Sequence, residues 1–180
     1  PFQAALLAHP RFVRGQFNTG FIAEQYSKGF KAEDVPHSDP DFLVALAAFV
    51  RRKSRERAAG ISGQLRGYDV KVGSNYTVVV LGATGDNQYA NVQVEESLQK
   101  EGSAAITVGD KRYDISSHSR LNDVRIEGTV NGQPFTAQIE RSAADIIIMQ
   151  PGAKSLINGP SGVPRRFIPL AYNHPAVVEV

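Results

Sequence analysis

Near residue 60 this chain changes texture, and the change limits the folds open to it. Before it runs one apolar helical segment ending in a basic cluster, Arg51-Arg52-Lys53-Ser54-Arg55-Glu56-Arg57. After it comes a train of short alternating segments joined by Gly and Asn turns. The helix has a clear start. Asp39 suits an N-cap, Pro40 the first helical position and Asp41 a favourable negative charge in the first turn. Phe42, Leu43, Leu46, Phe49 and Val50 recur at helical spacing and make one apolar stripe. Ala45, Ala47 and Ala48 are small enough to let a sheet approach other sides. Cations in the last turns suit the macrodipole, and Gly60 fits a C-terminal stop.

Beyond Gly60 the apolar period becomes two. Leu65–Val72 and Tyr76–Leu81 flank Gly73-Ser74, a predicted type II′ turn, and Gly85-Asp86-Asn87 turns into Tyr89–Glu95. Ala105–Val108 and Arg112–Ile115 flank Gly109-Asp110. Val124–Val130 and Pro134–Glu140 flank Asn131-Gly132, the strongest hairpin signal in the chain, and Ala144–Met149 follows. The pattern predicts about eight strands. Past Pro151 it weakens. Asn158-Gly159-Pro160-Ser161-Gly162 reads as a loop, and Phe167-Ile168 and Val177-Val178 as short further strands. The prolines there argue against a central strand. Free edges on eight antiparallel strands would invite aggregation; closing them around the apolar helix removes the edges and buries its stripe. The expected fold is therefore α+β: an antiparallel eight-stranded β-barrel wrapped around one long central helix, preceded by two short helices.

Those two lie in residues 1–30. Phe2, Leu6 and Leu7 have helical spacing, His9-Pro10 stops the run, and Asn18-Thr19 suits the cap of a second helix over Gly20–Tyr26, ended by Lys28-Gly29. Residues 31–37 read as a linker. The start at Pro1 fits a piece of a longer chain, and Pro1–Ala8 lacks the plan of a signal peptide.

Chemistry is scarce in the sequence. With 0 cysteines, a disulfide framework, a thiolate zinc site and a cysteine nucleophile are excluded. No apolar run reaches a membrane-span length, and a formal charge of +2 is too small to argue for nucleic acid. His9, His37, His118 and His174 have no metal-ligand spacing and read as surface histidines. Ser116-Ser117-His118-Ser119 lacks a nucleophile elbow, and neighbours on a strand point to opposite faces. Gly82-Ala83-Thr84-Gly85 and Gly159-Pro160-Ser161-Gly162 lack the Lys and strand–loop–helix setting of a phosphate cradle. Asp114, Asp123 and Asp145 are scattered. No catalytic, cofactor-binding or metal-binding residue is nominated.

Two features remain. The basic cluster is either a solvated helix end or a docking surface, with nucleic acid a weaker third reading. The stretch Gly60, Ile61, Ser62, Gly63, Gln64, Leu65, Arg66, Gly67 and Tyr68 sets apolar residues on a Gly-bearing connection. Apolar side chains there are costly to leave in water, so they fold back or insert into a partner.

Ala8-His9-Pro10-Arg11-Phe12-Val13-Arg14-Gly15-Gln16-Phe17-Asn18-Thr19-Gly20-Phe21-Ile22 resembles the end of a biotin carboxylase domain. Tyr26-Ser27-Lys28-Gly29-Phe30 continues like the alpha subunit of propionyl-CoA carboxylases, and the helix and strands to about Met149 are similar to its BT domain, which joins carboxylase and carboxyltransferase components. Gly128-Thr129-Val130-Asn131-Gly132-Gln133-Pro134-Phe135 is the most family-like strand pair. The resemblance implies C-terminal helices of a biotin carboxylase domain in 1–30, the linker, and a BT-like domain over 38–180. It also implies that the connection after the helix hooks the carboxyltransferase (beta) subunit. The biotinylated Lys of the family sits in a Met-Lys-Met setting, whereas here Met149 is the only methionine and Gln150 follows it, so no biotin site is present. The ATP-binding core is absent as well.

The expected function is a non-catalytic assembly segment of a biotin-dependent acyl-CoA carboxylase. The parent enzyme would use biotin, ATP, magnesium and bicarbonate. The expected partners are the carboxyltransferase component and the biotin carboxylase and biotin carrier domains of the same chain, with no nucleic acid and no membrane. The expected location is the cytoplasm, or the mitochondrial matrix in a eukaryote. Two rival readings are a hot-dog-like acyl-CoA thioesterase, which needs an acid or amide on the central helix, and a small-ligand-binding β-barrel, which needs a hollow interior.

Overall fold

The computed structural model describes residues 2–29, 39–67, 69–81, 87–96, 102–142, 145–149 and 165–171. The expected linker, the loops at 82–86 and 158–162, Val177-Val178, His37, His174 and Tyr68 lie outside them. The chain divides into two compact units, one including the residues up to Pro40, the other built on Asp41–Met149 with the last strand.

The first unit holds α1 (Phe2–Ala8), α2 (Pro10–Val13) and α3 (Phe21–Gln25), three short helices where two were expected. His9-Pro10 ends one helix and starts another: His9 Nδ1 accepts the Arg11 N–H at 3.2 Å, and Pro10 takes the first helical position. The expected Asn18-Thr19 cap is not made. Gly20 is the cap residue of α3, and the Asn18 amide instead donates to Glu24 at 3.3 Å. Phe21 is buried among the rings of His9 (5.1 Å) and Phe12 (6.4 Å).

The second unit begins one residue into α4 (Pro40–Ala59), a 20-residue helix that starts at Pro40 as its sequence predicts. Every residue from Phe42 to Val50 is buried. Such a stretch covers two and a half turns, so all faces of this half of the helix are out of water. The five-residue stripe thus understates the buried surface, and the alanines between are as buried as the leucines. At the N-terminal end the Phe42 ring lies 5.1 Å from Phe135 and 6.4 Å from Tyr113, and Asp41 pairs with Lys111 at 2.7 Å.

Eight antiparallel strands follow: β1 (Asn75–Val80), β2 (Gln88–Glu96), β3 (Ser103–Val108), β4 (Lys111–Ser116), β5 (Arg125–Val130), β6 (Gln133–Ser142), β7 (Asp145–Met149) and β8 (Arg165–Ala171). Each pairs with the next in the chain, and β8 pairs back onto β1, so the sheet closes into a ring with no free edge. The fold is α+β with eight antiparallel strands, as expected. Asn131-Gly132 forms the tight β5–β6 turn, with Asn131 at φ 49° and Gly132 at φ 79°.

The set of eight differs from the predicted set in one member. None of the described residues of Leu65–Val72 is in a strand, and the eighth member is β8, which contains the further short strand expected at Phe167-Ile168. The prolines of this region spoke against a central strand, and one of them, Pro169, lies within β8 opposite Val78. Leu81 donates to the Arg166 carbonyl at 3.0 Å. In the alternation of an antiparallel ladder this makes Val78–Pro169 a non-hydrogen-bonded pair, so the missing N–H costs nothing against β1. Among the described residues, pairing of β8 with β7 runs from Arg165 to Phe167 and does not reach Pro169.

The weakest seam of the ring is β4–β5, where the ladder has only two pairs, Ile115–Val130 and Ser116–Thr129. Side chains supplement it. Ser117 Oγ donates to the Glu127 carbonyl at 2.6 Å, and Ser119 Oγ accepts the Glu127 N–H at 3.0 Å. Asn131 adds to the ladder from the turn, with Oδ1 accepting the Asp114 N–H at 2.8 Å. In this cluster Ser117 and Ser119 thus have a structural part, tying β4 to β5.

Candidate docking surface

The basic cluster at the end of α4 is mostly turned inward. Arg52, itself buried, ion-pairs with Glu56 and donates to the Gly73 carbonyl at 3.0 Å. Lys53 donates to the carbonyls of Ser117 (3.0 Å) and Ser119 (2.9 Å), and Arg55 to that of Lys71 (3.3 Å). Burial holds the Lys53 ammonium below its ordinary pKa, with Asp123 and Glu56 pulling the other way. Burial likewise lowers Arg51, and its neighbour Arg55 adds to that. Among the described residues the buried Tyr76 hydroxyl has no hydrogen-bond partner, and burial raises its pKa. These helix-end cations hold loops against the helix, a use of the run beyond either main expectation.

They also explain the missing strand. The carbonyls of Lys71 and Gly73 are taken by Arg55 and Arg52, and the Val70 N–H by the Gln64 side chain at 2.8 Å. Backbone groups satisfied by side chains have no need of a ladder. The alternation of Val70 and Val72 was a true signal of half-burial without a partner strand.

The nominated stretch begins where α4 stops. Gly60 donates back to the Glu56 carbonyl at 3.0 Å but does not adopt the left-handed conformation expected of a C-terminal stop. The end is instead held by Gln64, a nominated residue whose role the sequence did not reveal. Its Nε2 lies 3.0 Å from the carbonyls of both Ala58 and Ala59 and 3.1 Å from that of Ile61. Its two N–H groups are shared among three acceptors, and its Oε1 takes the Val70 N–H. One amide therefore satisfies orphan carbonyls of the helix end and closes the loop onto its far side. Gly63 (φ 84°) and Gly67 (φ 86°) provide the two left-handed corners.

Held this way, the loop turns its apolar residues outward. Ile61 is 62% exposed and Leu65 75% exposed, and Ser62, Gly63, Arg66 and Gly67 are exposed as well. Of the two alternatives, folding back or inserting into a partner, the exposure of Ile61 and Leu65 speaks against the first. Gln64→Ala is expected to cost about 1–2 kcal/mol through the unsatisfied carbonyls. Hydrogen exchange at the Val70 amide should accelerate well beyond that change in global stability, because its acceptor is gone.

Among the described residues, no group of three or more His, Cys, Asp and Glu could hold a metal ion, and no helix is long and apolar enough to cross a membrane. The buried stretch of α4 carries no acid or amide.

Residues 43–158 match the family model of the propionyl-coenzyme A carboxylase BT domain. The chain is 29% identical over 117 residues to the propionyl-CoA carboxylase alpha chain of Ruegeria pomeroyi, covering 62% of this chain and 17% of that one. It is 25% identical over 159 residues to the mitochondrial propionyl-CoA carboxylase alpha chain of Caenorhabditis briggsae, covering 84% of this chain and 22% of that one. The chain thus spans about a fifth of the length of these relatives. The match takes in the buried helix, the Gln64 loop and β1 to β7, well over half of the 180 residues. This chain belongs to the propionyl-coenzyme A carboxylase BT domain family.

Proposed function

We propose that this segment is the assembly domain of a biotin-dependent acyl-CoA carboxylase of the propionyl-CoA carboxylase kind. In this reading α4 runs through the ring as its central core, and the loop Gly60 to Tyr68 is a hook that docks onto the carboxyltransferase component. Burial on every face of α4 over Phe42–Val50 supports the first part, since a helix lying on one face of a sheet keeps a wet side. The observation that carries the second is the Gln64 loop, which presents Ile61 and Leu65 to solvent from a fixed end of that helix. Exposed apolar residues on a rigid loop gain most from a partner, because little ordering entropy is left to lose on binding.

The segment itself does no bond chemistry. It holds the active components within reach of a swinging biotin, so its contribution is effective concentration and orientation. Residues 1–30 are then the last helices of the biotin carboxylase domain, 31–37 a linker and 38–180 the BT domain. Biotin, ATP, magnesium and bicarbonate serve the parent enzyme through its other domains. The proposed location is the cytoplasm, or the mitochondrial matrix for a eukaryotic parent. The apolar character of α4 speaks against a thioesterase of the hot-dog type.

The test is co-purification of the full-length parent chain with its carboxyltransferase component, comparing wild type with Ile61→Asp/Leu65→Asp. Both residues are exposed, so melting should move by less than about 0.5 kcal/mol per site, while association should fall at least a hundredfold. A double variant that binds like wild type would remove the hook from the reading.

A further inference from the structure

The hook has a second chemical character beside its apolar one. Among the described residues of Arg51–Val72 there are seven cations, Arg51, Arg52, Lys53, Arg55, Arg57, Arg66 and Lys71, against two carboxylates, Glu56 and Asp69. Three of the cations are spent on intramolecular partners: Arg52 on Glu56 and Gly73, Lys53 on Ser117 and Ser119, Arg55 on Lys71. Arg51 is half-buried. Glu56 is spent on Arg52. Arg57, Arg66 and Lys71 are left: all three are exposed, and none makes an ion pair among the described residues. They flank Ile61 and Leu65 along the chain, with Asp69 the one exposed carboxylate not already engaged. A chain of net charge +2 therefore sets unspent positive charge along the sequence beside two exposed apolar side chains, Ile61 and Leu65.

Two apolar knobs alone would suit any greasy pocket. Cations beside them select among pockets, because like charge opposite them is penalised and carboxylates are favoured. We infer that the surface receiving the hook is a carboxyltransferase-component pocket with an apolar floor and a rim of carboxylates. Arg57, Arg66 and Lys71 steer the encounter, while Ile61 and Leu65 hold the complex. This rests on the assembly reading above and adds the partner's chemistry to it. The same residue types also suit an anionic lipid surface. The single closed loop clamped by Gln64 favours a protein pocket, since membrane surfaces are usually engaged by longer amphipathic faces.

The experiment follows association of the full-length parent chain with its carboxyltransferase component by stopped flow, from about 50 to 500 mM salt. Wild-type association should slow roughly tenfold over that range, as steered encounters do. Arg57→Gln/Arg66→Gln/Lys71→Gln should start several-fold slower and lose most of the salt dependence, with dissociation changed by less than about threefold. Ile61→Asp/Leu65→Asp should act chiefly on dissociation. A wild-type rate that ignores salt, or a triple variant with an unchanged salt slope, would overturn the acidic rim while leaving the hook intact. Absence of any wild-type association would overturn both readings. Binding of wild type to phosphatidylserine vesicles, lost in the triple variant, would replace the protein pocket with a membrane surface.

Discussion

Leu46→Asp is expected to leave the second unit unfolded at room temperature. Leu46 is completely buried midway along the enclosed stretch of α4, with buried apolar residues before and after it. Replacing Leu loses about 2–5 kcal/mol of packing. A carboxylate at that point costs several kcal/mol more, whether it ionises in apolar surroundings or is held neutral by a raised pKa. Together these rival the whole stability of a domain, about 5–15 kcal/mol. Leu46→Met keeps volume and polarity and should cost less than about 1.5 kcal/mol. Thermal melting by circular dichroism separates the two. A cooperative melt for Leu46→Asp near the wild-type temperature would mean that the helix has a wet side, against its proposed course through the ring.

Gly128→Ala is the second large effect, and its cause is local. A Cβ on Gly128 would sit inside contact distance of the Ser116 carbonyl oxygen and 3.0 Å from the Ser117 side chain. The first of these neighbours is backbone, so no rotamer change relieves the clash. The strand must shift, and it belongs to the β4–β5 seam, with only two ladder pairs. Ser117 and Ser119 hold Glu127, the residue next to Gly128, and Lys53 ties the carbonyls of both serines to the helix. Movement therefore loosens both seam and helix end. The expected cost is about 3 kcal/mol or more, at the upper end for overpacking. Thr129→Ala, on the exposed side of the same strand, should change stability by less than about 0.5 kcal/mol. Urea titration of the three proteins gives the comparison. A near-neutral Gly128→Ala would mean that β4 and β5 approach less closely than described.

Much of this architecture could be read from the residues because local chemistry and tertiary role agree there. Asn131-Gly132 names its own turn, and Pro40 names the start of α4. The apolar content of Phe42–Val50 already demanded burial. The readings that failed did so where side chains replaced backbone partners. Leu65–Val72 alternates like a strand, but Gln64, Arg55 and Arg52 saturate its backbone. Nothing in a period-two pattern distinguishes those partners from a neighbouring strand. Pro169 misled in the opposite sense, because its cost depends on the register with β1, which one strand's sequence does not contain. At the docking surface, Ile61 and Leu65 were legible as apolar residues on a Gly-bearing loop. Gln64 was legible only as a member of that loop. The clue to its role, a lone amide a few residues past a helix without a left-handed stop, is visible only once Gly60 is seen to fail as one.

The most direct measurement places a photo-crosslinking amino acid at Leu65 in the full-length parent chain, within the assembled enzyme, with Thr136 on the exposed face of β6 as control. Mass spectrometry of the adducts identifies what each position touches. Crosslinks from position 65 to one pocket of the carboxyltransferase component, absent from position 136, are the expected result. Crosslinks from position 65 only to its own chain, or equal yields from both positions, would contradict a hook.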